Sequence, residues 1–213
     1  MCIERAIKMK VTLIQQTENP VELISKIASI CYDSIPDNPI ALVKHLYKNG
    51  HHSVFEHIYF TFKIEGISRA CSHQLVRHRM ASFTQRSQRY CDESSFDFVV
   101  PEGVLNTQTY LNSIWTINDT YKVLKNNGVK KEDARFLLPN ACQTDLYMSF
   151  NLREFIHLCN ERLCDRAQWE IRELVKEMIE LVDKDLRFML VPKCQSGRII
   201  CHNKCTKGKN NGN

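Results

Sequence analysis

Between Gly66 and Cys91 the chain has no Asp or Glu, yet Arg69, Arg77, Arg79, Arg86 and Arg89 fall there, with His73 and His78. Like charges one helical turn apart repel, and a guanidinium does not shed its proton. Burying one without a partner is costly. The stretch RHRMASFTQRSQRY, Arg77 to Tyr90, holds four of these arginines. It must therefore face water or surround an anion. Whatever the fold, a ligand or a distant part of the chain has to supply the compensating charge.

Charge elsewhere narrows the choice. The formal net charge is +5, and Lys193, Arg198, Lys204, Lys207 and Lys209, all after Pro192, account for it. Residues 1–192 are thus formally neutral, whereas a dedicated nucleic-acid binder carries a wider basic surplus. A local positive patch in a neutral body suits a pocket for a small anion. Arginine forks match phosphate oxygens, Ser82, Thr84 and Ser87 add hydroxyls, and Gln74, Gln85 and Gln88 can read a base edge. Two other readings stay open: a salt-bridged surface helix, and a non-catalytic nucleotide- or RNA-binding face.

A length of 213 residues, 43% apolar and 25% charged, suits one soluble domain. We expect a single domain over residues 1–192 and a basic, cysteine-containing tail over 193–213. No run approaches the roughly 18 apolar residues of a membrane span, and no signal peptide is evident. The expectation is a cytoplasmic protein with no membrane partner. Ten cysteines then read as reduced thiols, mostly small buried hydrophobes.

Hydrophobic periodicity predicts a strand over KVTLIQQ, then helices over NPVELISKIASICYDS and DNPIALVKHLYKNGHHS, the second ending at Gly50. HIYFTFKIEGIS reads as a strand, RACSHQLVRHR as helical, and SFDFVVP as a strand before Pro101. Residues 104–126 read as a helix closed by Gly128, KKEDARFLL as a second that ends at Pro139, and DLYMSFN as a short strand. From Asn151 one long amphipathic helix is predicted. Leu152, Ile156, Cys159, Leu163, Ala167, Ile171, Leu174 and Met178 follow its period, and Asn151 with Glu154 resembles a capping box. The fold class is α+β, a mostly antiparallel sheet flanked by helices.

Several motifs carry possible chemistry. His51, His52, Glu56 and His57 in HHSVFEH have metal-ligand types, or serve as helix-end hydrogen bonds. Arg153 and His157 share a helix face, Asn160 continues it, and Arg162, nine residues after Arg153, lies opposite. Arg135 in EDARFLLP needs Glu132, Asp133 or an anion. Cys194, Cys201, His202 and Cys205 in the tail lack a CxxC knuckle, and a small zinc site there competes with loose reduced thiols. GxGxxG, GxxxxGK[ST] and GxSxG are all absent.

RHRMASFTQRS also fits RHR-x7-S, the signature of flavin-dependent thymidylate synthases, at Arg77, His78, Arg79 and Ser87. HHSVFEH, EDARFLLP and FNLREFIHL through AQWEIR resemble that family's other blocks in order, so the resemblance covers roughly residues 20–190. It implies FAD as cofactor, methylenetetrahydrofolate and NADPH as co-substrates, and conversion of dUMP to dTMP without a cysteine nucleophile. It also implies a homotetramer whose active sites are shared between subunits, with no nucleic acid or metal. Ser53, Arg77, His78, Arg79, Gln85, Asn151, Arg153 and His157 would hold FAD. Gln74, Arg77, Gln85, Arg86, Ser87, Gln88, Arg89, Arg135 and Arg162 would hold dUMP, with Arg162 at the uracil ring as the catalytic residue. Gln85 stands where some members carry Glu, and His157 where others carry Asn.

Overall fold

Strict alternation makes the sheet. Tyr59–Ser68 and Gln143–Asn151 bury every second side chain along most of their length, as a strand with one face on a core must. The structure, a computed structural model, describes residues 9–31, 33, 36–104 and 108–196. Its strands are β1 (Lys10–Gln16), β2 (Tyr59–Ser68), β3 (Ser82–Gln85) and β4 (Gln143–Asn151), in the sheet order β1-β2-β4-β3. The sheet is antiparallel and carries helices, as the sequence predicts.

The helices are α1 (Pro20–Ser29), α2 (Pro39–Lys48), α3 (Arg69–Leu75), α4 (Gln108–Asn126), α5 (Lys131–Ala134), α6 (Leu152–Arg162) and α7 (Trp169–Leu181). α2 starts where the Asn38 side chain accepts from Ala41 N, with Pro39 pre-set for its first turn. It stops before Gly50, whose φ of 79° is easy for glycine alone.

Three expectations need correction. The long helix from Asn151 breaks: α6 ends at Arg162, and Gln168 caps a new helix by accepting from Ile171 N. The apolar period runs through the break, so periodicity alone could not reveal it. The helix over RACSHQLVRHR ends at Leu75, before the crowded charges of Arg77 and Arg79. SFDFVVP yields only an isolated bridge from Phe98 to Cys142, while the strand nearby is β3, hidden in polar sequence.

Two compact units group the described residues. The first takes Ile64–Val76 and Thr84–Tyr147. Its core holds Phe96, Ile114 and Cys142, with Tyr110, Ile117 and Leu138 packed against them. The second takes Val11–Lys63, Arg77–Phe83 and the chain from Met148 onward. Phe60, Phe62, Phe150 and Phe155 form its aromatic centre, with Phe60 and Phe155 edge to face at 5.4 Å. Truncating one such ring costs about 3–5 kcal/mol.

Cys71, Cys142, Cys159 and Cys194 are buried, and no disulfide joins cysteines among the described residues. Burial pushes the Cys142 thiol up to about 12 and raises Cys159 further from ionisation. No helix of the described residues is long and apolar enough to cross a membrane. Of the tail residues for which a zinc site competes with loose thiols, Cys201, His202 and Cys205 lie outside the described residues.

Candidate active site

In the second unit the site is built on the first turn of α6. Asn151 Oδ1 accepts from Glu154 N at 3.0 Å and caps the helix. That is half of the predicted capping box. The Glu154 carboxylate is turned elsewhere, to His78 Nδ1 at 2.9 Å. On the other side of that ring, Arg162 Nε donates to His78 Nε2 at 3.0 Å. His78 and Glu154 are both buried, although Arg77 and Arg79 on either side of His78 are exposed. Long helical side chains lean toward the helix N-terminus, which lets Arg162 reach back to the same ring as Glu154. His157 packs against His78 with ring centroids 5.5 Å apart.

These groups border a cavity of about 530 Å³, lined by His52, Glu56, Met80, Asn151, Arg153, Glu154, Ile156, His157 and Asn160. Its size falls within the ordinary range for small-molecule sites. Arg153 pairs with Glu56 across the mouth. Asn160 donates from Nδ2 to Ile156 O at 2.7 Å, while its Oδ1 is buried with no partner. A buried acceptor left empty is costly, so a ligand N–H would be favoured there. Arg77 and Arg79, expected to hold FAD, are exposed and meet no carboxylate among the described residues, but they do not line this cavity.

Of the residues expected to hold FAD, Asn151, Arg153 and His157 line this cavity. His78 adjoins it through Glu154, and Ser53 opens the short 3-10 turn that carries Glu56. Both nitrogens of His78 are engaged, so the ring is not placed to act as a base. The motif HHSVFEH does not gather a metal site: Glu56 goes to Arg153, and His52 stacks on Tyr47. Gln85 belongs to the first unit, where its Nε2 donates to Ser72 Oγ and Thr144 Oγ1.

The residues expected to hold dUMP fall in the first unit, apart from Arg77 and Arg162. Arg89 pairs with Glu132 at 3.1 Å, and Arg86 with buried Glu93 at 3.2 Å. Burial opposes the Arg86 charge, but Glu93 more than compensates and carries its pKa up. Arg86 also lies in a cavity of about 270 Å³ beside Glu65, Asp92, Glu93, Asp97 and Asp145, a poor setting for phosphate. Arg135 Nε donates to Glu132 O at 3.2 Å, a backbone partner and neither of the two carboxylates weighed for it. Ser87 Oγ accepts from Arg89 N, Gln88 Nε2 reaches Cys142 Sγ, and Gln74 Nε2 donates to Ala70 O.

Sequence reasoning missed two groups. Glu154 had a sufficient local explanation as a helix cap, so nothing pointed to His78. Arg69, not among the expected ligands, donates through Nη2 to Arg86 O at 2.8 Å while its Nε is buried without a partner. Burial, then the neighbouring Arg135 and Arg86, lowers its pKa.

Comparisons with known proteins bear on the family and the fold. The family described as "Thymidylate synthase complementing protein" matches residues 12–186. A protein of Geobacter sulfurreducens named flavin-dependent thymidylate synthase is 44% identical over 190 residues, 82% of each chain. One of the same name from Pyrococcus furiosus is also 44% identical, over 198 residues, covering 83% of this chain and 80% of that one. A crystal structure of Thymidylate Synthase X from Helicobacter pylori with FAD and dUMP superposes with a TM-score of 0.75. It covers 85% of this chain and 97% of its own at 22% identity, a likeness of fold.

Proposed function

This chain belongs to the thymidylate synthase complementing protein family, and from that membership we propose that it converts dUMP to dTMP as an FAD-dependent thymidylate synthase. The observation that carries the reading is convergence. Segments 77–83 and 151–162, distant in sequence, meet through His78, Glu154 and Arg162 and through Met80 at one cavity, which holds the orphan acceptor of Asn160.

The residues divide by task. Arg77 and Arg79 bind phosphate charge of FAD, and Asn151, Arg153, His157 and Ser53 seat the cofactor. FAD reduced by NADPH would supply the hydride there, and methylenetetrahydrofolate would supply the one-carbon unit to uracil C5 and leave as tetrahydrofolate. Arg89, Arg135, Ser87, Gln88 and Gln74 bind dUMP, with Arg86 and Gln85 beside them. Arg162 stabilises the negative charge that develops on the uracil ring as its C5 attacks, which is electrostatic catalysis. A homotetramer in the cytoplasm would let different subunits complete each site. No cysteine lines the cavity among the described residues, and Cys142 is held neutral by burial. The raised thiol speaks against Cys142 as a thiolate nucleophile.

The test is a visible spectrum of FAD-loaded protein, taken before and after anaerobic NADPH and then dUMP, followed by dTMP assay. Bleaching by NADPH, a dUMP-dependent shift and dTMP formation are expected. Arg162→Ala should keep the flavin spectrum and lose about 100- to 1,000-fold in turnover. A protein that takes up no FAD, but binds RNA with steep salt dependence, would return the choice to a nucleic-acid-binding face.

A further inference from the structure

The contact between Arg162 and His78 fixes a proton as well as a distance. A guanidinium offers donors only, so at 3.0 Å from Arg162 Nε the His78 Nε2 is the acceptor. A neutral imidazole with its lone pair on Nε2 carries its proton on Nδ1. That nitrogen lies 2.9 Å from Glu154 Oε1, and the two side chains are 3% and 6% exposed. A protonated ring would set Nε2–H against the arginine N–H, which the geometry disfavours.

We propose that Glu154 is a positioning residue: through His78 it selects the Nδ1–H tautomer and thereby sets the plane of the Arg162 guanidinium. This rests on the reading that Arg162 meets the uracil. The chain is continuous and buried in its middle, running from carboxylate to imidazole to guanidinium. Glu154 is the third residue of α6, where the partial positive charge of the helix N-terminus favours a carboxylate. Because the guanidinium is rigid and planar, fixing one N–H orients the whole fork. The alternative use of the cluster is a cation held by His78, Glu154 and His157, whose ligand atoms lie within 4.8 Å of one another. Both His78 nitrogens are already engaged, and the adjacent guanidinium would repel a metal ion.

The test begins with the unmutated, FAD-loaded protein. Nitrogen NMR with labelled histidine should report His78 with Nδ1 protonated and Nε2 bare. Glu154→Met, close in volume but without an acceptor, leaves Arg162 as the one group named here that favours the Nδ1–H tautomer, so it should weaken that preference and lower kcat about 10- to 100-fold, the value of a charged hydrogen bond. Its flavin content and KM for dUMP should change little. Glu154→Gln keeps an oxygen for Nδ1–H, so it should retain the tautomer and recover most of kcat. A proton on Nε2 in the unmutated protein would overturn the proposal, whether or not the Met variant folds. So would equal impairment of the Gln and Met variants, or a kcat loss that only follows flavin loss. Full turnover by Arg162→Ala would overturn the premise instead. The two failures are separable, because the tautomer is read directly and without turnover.

Discussion

At the scale of single residues, the arginines of an acid-free stretch acquire separate fates. Arg86 and Arg89 are neutralised by Glu93 and Glu132, while Arg77 and Arg79 stand exposed without a carboxylate. The pair of Arg89 with Glu132 is solvent-facing and worth about 0–1 kcal/mol, so an anion can displace it. Arg89→Ala should therefore weaken dUMP binding about 10- to 100-fold and leave FAD affinity within about twofold. Titrations monitored by flavin absorbance and by calorimetry separate the two ligands. Equal loss of both would sink the division into two ligand sets. These arginines were legible as candidates because five guanidiniums without a local acid must find compensating charge elsewhere. Glu154 was not, since its partner His78 lies 76 positions away and nothing local requires the contact.

At the scale of elements, α6 carries the most. Its capping residue Asn151 both starts the helix and lines the cavity, and the third residue, Glu154, enters the buried chain to Arg162. Asn151→Ala should lower stability by about 1 kcal/mol, seen as an earlier urea midpoint. An unchanged midpoint would show that Glu154 and its partners hold the turn without the cap. β2 and β4 were nearly legible because one buried face imposes alternation; β1 was legible to the residue from its run of Val11, Thr12, Leu13 and Ile14, although none of its residues is buried. β3 was not, because four mostly polar residues at a sheet edge carry little pattern. The break between α6 and α7 escaped for the opposite reason: apolar spacing continues through Leu163 and Ala167, although the helix does not.

At the scale of the whole molecule, buried acids set an alkaline limit. Burial raises Cys142, Cys159, Tyr110 and Tyr121 above their ordinary values. A group that holds its proton more tightly when folded contributes fully below its unfolded pKa and loses that contribution as pH rises through its folded one. Stability should thus decline from pH 9.0, the ordinary thiol value, toward about 12, where Cys142 ionises in the fold. Urea midpoints at mildly alkaline and strongly alkaline pH check this, and equal midpoints would refute it. The interleaving of the two units has a consequence in time. Residues 64–76 and 84–147 are interrupted by a segment of the other unit, which itself resumes only at Met148. As the chain leaves the ribosome, the first unit must pass 77–83 unpaired before it can close. The second waits for α6, so the cavity and its arginine are among the last parts of the protein to exist.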